Sequence, residues 1–488
     1  PKGSVPMFRP TSGNARTPAR VLFILLSLLF LGAVFLRVDG IATRELEYDE
    51  IWTLENFLGK PCSVLFNDFS STNNHPLHSI LTKGAHAAIH DGLPALYPDF
   101  GYLSIRIVPL ICGILLLVFC ALAARAERRS DWLPPAIFAA ILCGWNTQLI
   151  HYSATSRGYS MQCLFVFLMA AALLRLGDPA EARRIRFSLL AVLSALAAVF
   201  TIPNAAVFAA AAALAWLAVF CDWKRPWKTP ALPTLLSFGA AAAVPALLWL
   251  IANSGALNEA RAVFSESAAS PSSFLRFSGR AILCSGLLLP TLALLPGLAS
   301  DDRRMRRTAA FLLIFAALSL FSSVFTGVWG EERIFLPLAA PLSLGGALHL
   351  GRLCERRPIG VFFLCFAGLL ALCTLLHVLL MRVLIPAPWE DTARLIRSEL
   401  PIGTYAIYPP AHGYAISFNH ESLKEDHMRR LLATTDSIRS FAQEGELEGV
   451  DTDRYFRTVA HWDGLRSSFQ SGDGAPHPFR IYRILPPR

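Results

Sequence analysis

The stretch LSIRIVPLICGILLLVFCALAA, residues 103–124, runs directly into RAERRS, residues 125–130, and that junction decides the fold. An apolar run of this length matches what a helix needs to cross the roughly 30 Å hydrocarbon core of a bilayer. A helix packed in a soluble core rarely stays apolar on every face for so long. The cluster Arg125, Arg128 and Arg129 that follows is the kind of basic flank that stays on the cytoplasmic side of a membrane.

Working outward, blocks of the same kind recur at Val21–Val38, Phe311–Val328 and Val361–Val383. About eleven spans are expected, near 21–38, 103–124, 133–150, 158–176, 187–203, 205–221, 231–252, 278–299, 308–328, 334–350 and 359–384. Arg9, Arg16 and Arg20 precede the first, as in a signal peptide, but no small-x-small cleavage site follows, so it reads as a retained helix. Every second connection is dense in basic residues: after Arg125 come Arg183/Arg184/Arg186, Lys224/Arg225/Lys228, Arg303/Arg304/Arg306/Arg307 and Arg352/Arg356/Arg357. The alternate connections, His151–Arg157, Pro203–Asn204, Asn253–Phe277 and Trp329–Arg333, are sparse. This alternation predicts a cytoplasmic tail (1–20), a membrane domain (21–384) with a long outer loop (39–101), and an outer soluble domain (385–488).

Composition agrees. Hydrophobic residues make up 54% and charged residues 16%, against about 25% charged in soluble domains, and mean hydropathy is +0.46. The net charge of +9 lies between the apolar blocks, which fits anionic lipid rather than nucleic acid. Nine of the ten cysteines lie in or beside apolar blocks and only Cys62 in a polar loop, with no CxxC pair, so neither a disulfide framework nor a zinc site is indicated. In the outer loop, Tyr48–Leu58 and Leu77–Ile89 read as interfacial amphipathic helices. The tail, with helical patterns at Thr392–Glu399 and Leu423–Leu432 and strand patterns at Tyr405–Tyr408 and Phe479–Ile484, reads as a small α/β domain.

Four constellations could carry chemistry, and all fall on the outer side. Glu47-Tyr48-Asp49-Glu50 pairs two carboxylates at a helix start. They either complement the helix dipole, take a proton as a general base, or share a divalent cation. Asn73-Asn74-His75-Pro76-Leu77-His78 offers His75 as acid/base, ligand or capping residue. In His151–Tyr159, Arg157 is an arginine at membrane level, which is costly unless it snorkels or serves a function; a guanidinium there can grip a lipid-linked phosphate. In Trp329–Pro337, Glu332 and Arg333 form a pair, or Arg333 joins Arg157 at one membrane depth.

In order, Asp49-Glu50, Asn74-His75-Pro76-Leu77, Ser156-Arg157-Gly158-Tyr159 and Glu332-Arg333-Ile334-Phe335-Leu336-Pro337 resemble the protein O-mannosyltransferase and aminoarabinose-transferase superfamily of membrane glycosyltransferases. The resemblance covers roughly residues 20–350. It departs at Leu77, where the family has a second proline, and at Phe335, an aromatic displaced from its usual place. It implies the all-α, polytopic C-type glycosyltransferase fold. It also implies a polyprenyl-phosphate-sugar donor, a lipid, saccharide or protein acceptor, and inversion at the anomeric carbon. Asp49 would be the catalytic base or an acceptor-positioning carboxylate, with Glu50 in support. Arg157 and Arg333 would hold the donor phosphate, with Tyr48, Asn74, His75, Tyr159 and Glu332 as further site residues. No phosphate-binding glycine loop is present, which accords with a lipid-linked donor; no cofactor is required, apart from a divalent cation if the carboxylate pair holds one. The Ala- and Arg-rich composition suggests a bacterium, and hence its inner membrane. A transporter of anionic lipid would also want arginines and many helices, but would carry inverted repeats and charges near mid-membrane; a scaffold subunit would use the acidic pair only as a helix start.

Overall fold

The computed structural model describes residues 16–43, 50, 53, 57–67, 74–92, 97–127, 132–178, 180–226, 229, 231–252, 278–279, 281–326, 332–355 and 357–384, and five strands between 404 and 484. Besides a single turn at Cys62–Leu65, the helices are α1 (Arg16–Thr43), α2 (Pro76–Gly92), α3 (Tyr97–Glu127), α4 (Leu133–Gly144), α5 (Thr147–Ser153), α6 (Tyr159–Leu176), α7 (Arg184–Thr201), α8 (Ala205–Phe220), α9 (Leu232–Ala252), α10 (Leu288–Leu294), α11 (Arg303–Thr326), α12 (Ala339–Glu355) and α13 (Ile359–Leu384). Helical turns Leu295–Ala299 and Glu332–Leu338 adjoin α10 and α12.

Helix overlies each expected span, but not as eleven uniform rods. Among the described residues, seven helices are long and apolar enough to cross a bilayer, or eight if the bent pair α4–α5 is one span. The chain is therefore a multi-pass membrane protein. Of the four expected spans outside that count, 231–252 is the 21-residue helix α9, and the other three depart for local reasons. The segment 133–150 bends by 68° between α4 and α5. α8 has only 16 residues. The segment 278–299 breaks at Gly286, whose φ of 67° is left-handed and comes at little cost only to glycine.

The bend between α4 and α5 is built, not slack. Asn146 caps α5 by accepting from the Leu149 amide (3.1 Å) and donates to the Gly286 carbonyl (3.2 Å). Arg37 of α1, fully buried, donates to the carbonyls of Ala33 (2.8 Å) and Gly144 (3.1 Å). It thus satisfies one of the carbonyls a helix end leaves without a partner. α12 is the most enclosed span and α13 among the least, 89% and 11% buried respectively. α12 gets so close to its neighbours because a Cβ on Gly346 would stand 2.9 Å from the Pro290 carbonyl oxygen.

The two ends of the bundle differ in charge chemistry. At the ends of α3 and α6 that carry Glu127 and Arg175, Glu127 pairs with Arg304 (2.6 Å) and Arg175 with Glu181 (2.5 Å), and Arg352 pairs with Asp302. At the other end stand Arg106, Arg157 and Arg333. From Arg106 to Arg125 along α3 is about 28 Å at roughly 1.5 Å per residue, the thickness of the hydrocarbon core.

Toward the C-terminus, β1 (Thr404–Tyr408), β2 (Tyr414–Asn419), β3 (Leu432–Thr434), β4 (Leu447–Gly449) and β5 (Arg480–Ile484) form one sheet in the order β3-β2-β1-β5-β4, antiparallel throughout. β1 and β5 coincide with the two expected strands. The helices expected at 392–399 and 423–432 lie outside the described residues, except Leu432, which opens β3. α2 matches the expected helix 77–89, whereas most of the expected helix 48–58 lies outside the described residues.

Candidate functional site

Three segments converge at the end of α3 and α6 that carries Arg106 and Tyr159. The first is Glu50. It is fully buried, and its oxygens accept from Nε (2.8 Å) and Nη2 (2.7 Å) of Arg106, in the two-pronged geometry that suits a guanidinium. Arg106 also donates from Nη1 to the Ile41 carbonyl at the end of α1 (3.2 Å). Glu50 Oε1 additionally accepts from the Ser156 amide. The carboxylate therefore ties α1, α3 and the loop between α5 and α6 into one knot.

That loop continues into Arg157, Gly158 and Tyr159. The Gly158 amide donates to Nδ1 of His75 (2.9 Å), which leaves the proton of a neutral His75 on Nε2. Gly158 has to be a glycine here for lack of room, since a Cβ would stand 2.9 Å from His75 Nδ1. His75 sits at the start of α2, held there by Asn74. The Asn74 side chain donates to the Leu65 carbonyl (2.8 Å) and accepts from the Ser79 hydroxyl (3.0 Å).

Tyr159 is the centre of the group. The Arg157 and Arg333 guanidinium carbons lie 5.7 Å and 5.5 Å from its ring centroid, within cation–π range. His75 meets the ring edge-on at 5.5 Å, and Tyr152 packs against it at 4.7 Å. A guanidinium 2% exposed (Arg157) and a second, partly exposed one (Arg333) are thus held on one aromatic plate. The field is positive. Burial, and then the charge of Arg157, push the His78 ring down to about 3. Burial, Arg157, His78 and Arg333 hold His75 well below the usual histidine range. Both imidazoles are neutral at pH 7, and the local charge is that of the arginines.

Of the residues expected from sequence, the structure brings together Glu50, Asn74, His75, Arg157, Tyr159 and Arg333. Tyr48 and Asp49 lie outside the described residues, and Glu332 is described only as the backbone start of the turn Glu332–Leu338. Sequence reasoning missed Arg106 and His78. Arg106 had a signal: it is the one ionisable residue inside the apolar run 103–124, and such residues rarely lie idle in a membrane. His78 had none beyond its place one turn after His75. Among the described residues no group of three or more histidine, cysteine or carboxylate side chains could hold a metal ion. Glu50 in particular has both oxygens engaged.

No protein-family profile matches this sequence, and no curated protein matches it. Solved structures do. The chain is similar to ArnT from Cupriavidus metallidurans in the apo state, with a TM-score of 0.53 and 14% identity over 96% of this chain and 100% of that one. It also matches the same protein bound to undecaprenyl phosphate, with a TM-score of 0.49 and 14% identity over 76% and 72%. ArnT is an aminoarabinose transferase, and its fold is that of the C-type membrane glycosyltransferases; this chain has the same fold.

Proposed function

We propose that this protein is a glycosyltransferase that takes its sugar from a polyprenyl-phosphate donor and transfers it, with inversion, to a hydroxyl of a lipid, saccharide or protein acceptor. The observation that carries the reading is the pair of arginines, Arg157 and Arg333, whose guanidinium carbons lie 5.7 Å and 5.5 Å from the Tyr159 ring centroid at the end of the bundle. A prenyl chain lies in the bilayer, so its phosphate sits at headgroup depth, where Arg157 and Arg333 stand. In the reaction the acceptor oxygen bonds to the anomeric carbon, the bond from that carbon to the phosphate oxygen breaks, and the acceptor proton passes to a base. Negative charge grows on the departing phosphate. Cations fixed beforehand stabilise that charge without reorganising, which is commonly the largest contribution an enzyme makes.

Within this reading Asp49 is the base, next in sequence to a carboxylate that the fold has fully committed. Glu50 supports it by fixing the loop that bears Arg157. His75 keeps that loop and α2 in register and presents Nε2–H beside Tyr159. The site faces the periplasm from a bacterial inner membrane, with residues 385–488 forming a soluble domain on the same side; the sparse connections of the alternating pattern support that orientation. The fold shared with ArnT supports the reaction class.

The experiment compares purified wild type with Asp49→Asn on a panel of radiolabelled polyprenyl-phosphate sugars, with membrane extract as acceptor. One donor is consumed by wild type, and the folded variant is slower by about 100-fold or more. Equal rates on a donor that turns over would remove Asp49 from the chemistry. Consumption of no donor would remove the reaction class.

A further inference from the structure

We propose that a cleft between α3, α6 and α7, at the end of the bundle opposite the candidate site, holds one anionic phospholipid of the leaflet on that side. The cleft encloses about 590 Å³. Phe119 and Leu122 of α3 form one wall, Phe187 and Leu190 of α7 the other, and Ala171 and Ala172 of α6 the floor. The two alanines leave a slot wide enough for an acyl chain where larger residues would close it.

The mouth of the cleft is basic. Arg125, Arg175 and Arg183 line it against the single carboxylate of Glu127, three positive charges to one negative, a surplus of +2. The surplus can be placed. Glu127 is engaged by Arg175 (3.4 Å) and Arg304 (2.6 Å). Arg175 is engaged in turn by Glu181 and lies 5.7 Å from the Phe187 ring. Arg125 and Arg183 are exposed, Arg125 lying over the Trp132 ring at 5.5 Å. The positive excess therefore sits on Arg125, at the end of α3, and on Arg183, just before α7.

An apolar slot at chain depth below two exposed guanidiniums at headgroup depth matches a ligand with a hydrocarbon tail and an anionic head. A soluble phosphate compound has no use for the slot, and a protein partner has no access between the helices. A polyprenyl phosphate shares the chemistry, but the candidate site for it lies about 28 Å away along α3. Anionic phospholipid is what the cytoplasmic leaflet presents in bulk.

The test uses the full-length protein, purified in detergent and stripped of lipid, in native mass spectrometry and thermal unfolding. Phosphatidylglycerol and phosphatidylcholine with identical acyl chains are added to wild type, to the double variant Arg125→Ala/Arg183→Ala and to Arg125→Lys/Arg183→Lys. Wild type retains one phosphatidylglycerol and gains thermal stability from it. Phosphatidylcholine binds more weakly by about tenfold or more. The alanine pair loses the preference and the lysine pair keeps it. Equal binding of the two lipids to wild type overturns the proposal, as does a preference that survives in the alanine pair. So does displacement of phosphatidylglycerol by polyprenyl monophosphate, which would make the cleft a second prenyl-phosphate site. None of these outcomes depends on whether the chain is a glycosyltransferase.

Discussion

Glu50 and Arg106 are both fully buried, and neither charge is tolerable there without the other. Removing one partner leaves an uncompensated ion in a low-dielectric interior, a loss of about 3–5 kcal/mol. Glu50→Gln is expected to lower the unfolding temperature sharply, while Glu50→Leu combined with Arg106→Leu recovers much of the loss. A single variant as stable as wild type would show the pair to be dispensable. His78 makes a prediction about pH. Unfolded, its ring titrates near 6.5; folded, near 3. Above pH 6.5 both states are neutral and the group contributes no pH dependence. Between 6.5 and 3 the unfolded chain takes up a proton that the folded one refuses. Stability therefore falls with pH, by up to about 1.4 kcal/mol per unit for this ring. Unfolding followed from pH 7.5 to 5 in detergent shows this slope, and His78→Gln lessens it, leaving the share that the likewise depressed His75 contributes. An unchanged slope in the variant contradicts the assignment.

Helices and their breaks were unequally legible. The spans were readable because a run of apolar residues as long as the bilayer is thick has little alternative to a transmembrane helix. The break inside 133–150 was not, because its composition stays apolar on both sides of Trp145-Asn146. What makes it a break is a set of long-range partners, Arg37 from α1 and the Gly286 carbonyl, and no local pattern encodes them. Two variants test this. Arg37→Leu leaves the Gly144 carbonyl at the bend without a donor, at about 1–3 kcal/mol. It should also loosen α5 and the loop bearing Arg157, so turnover falls along with stability. Gly286→Ala forces a side chain into a left-handed backbone and drives its Cβ against the Asn146 side-chain amide nitrogen. It should destabilise at least as much, by thermal unfolding. If either variant unfolds like wild type, the bend is held by something else.

At the level of the whole molecule, the chain separates two kinds of chemistry by the thickness of a membrane. Partly exposed ion pairs and a basic cleft occupy one end, and a fully buried ion pair with arginines gathered on a tyrosine the other. The alternation of basic and sparse connections predicts an orientation, because that bias is written in the local composition. The convergence of Glu50, His75, Arg157 and Arg333 was legible only as four motifs along the chain. The knot that joins them runs through Arg106, a lone charge in an apolar run whose partner no local pattern names, and through the Ser156 amide, a loop backbone. Cys62, exposed in the connection between α1 and α2, gives a direct reading of orientation: the expected side is the outside. In a variant retaining it as the sole cysteine, a membrane-impermeant maleimide labels the protein from outside sealed spheroplasts. Labelling only in inverted vesicles would reverse the topology. The account rests most heavily on Arg157 and Arg333 as the cradle of a prenyl-linked phosphate. The direct measurement is binding of polyprenyl monophosphate, with the uncharged polyprenol as control, to wild type, Arg157→Gln and Arg333→Gln. Wild type should bind the phosphate and not the alcohol, and each folded variant should bind it more weakly by about tenfold to a hundredfold, the worth of one charge-assisted hydrogen bond. Wild-type affinity in both variants would contradict the account.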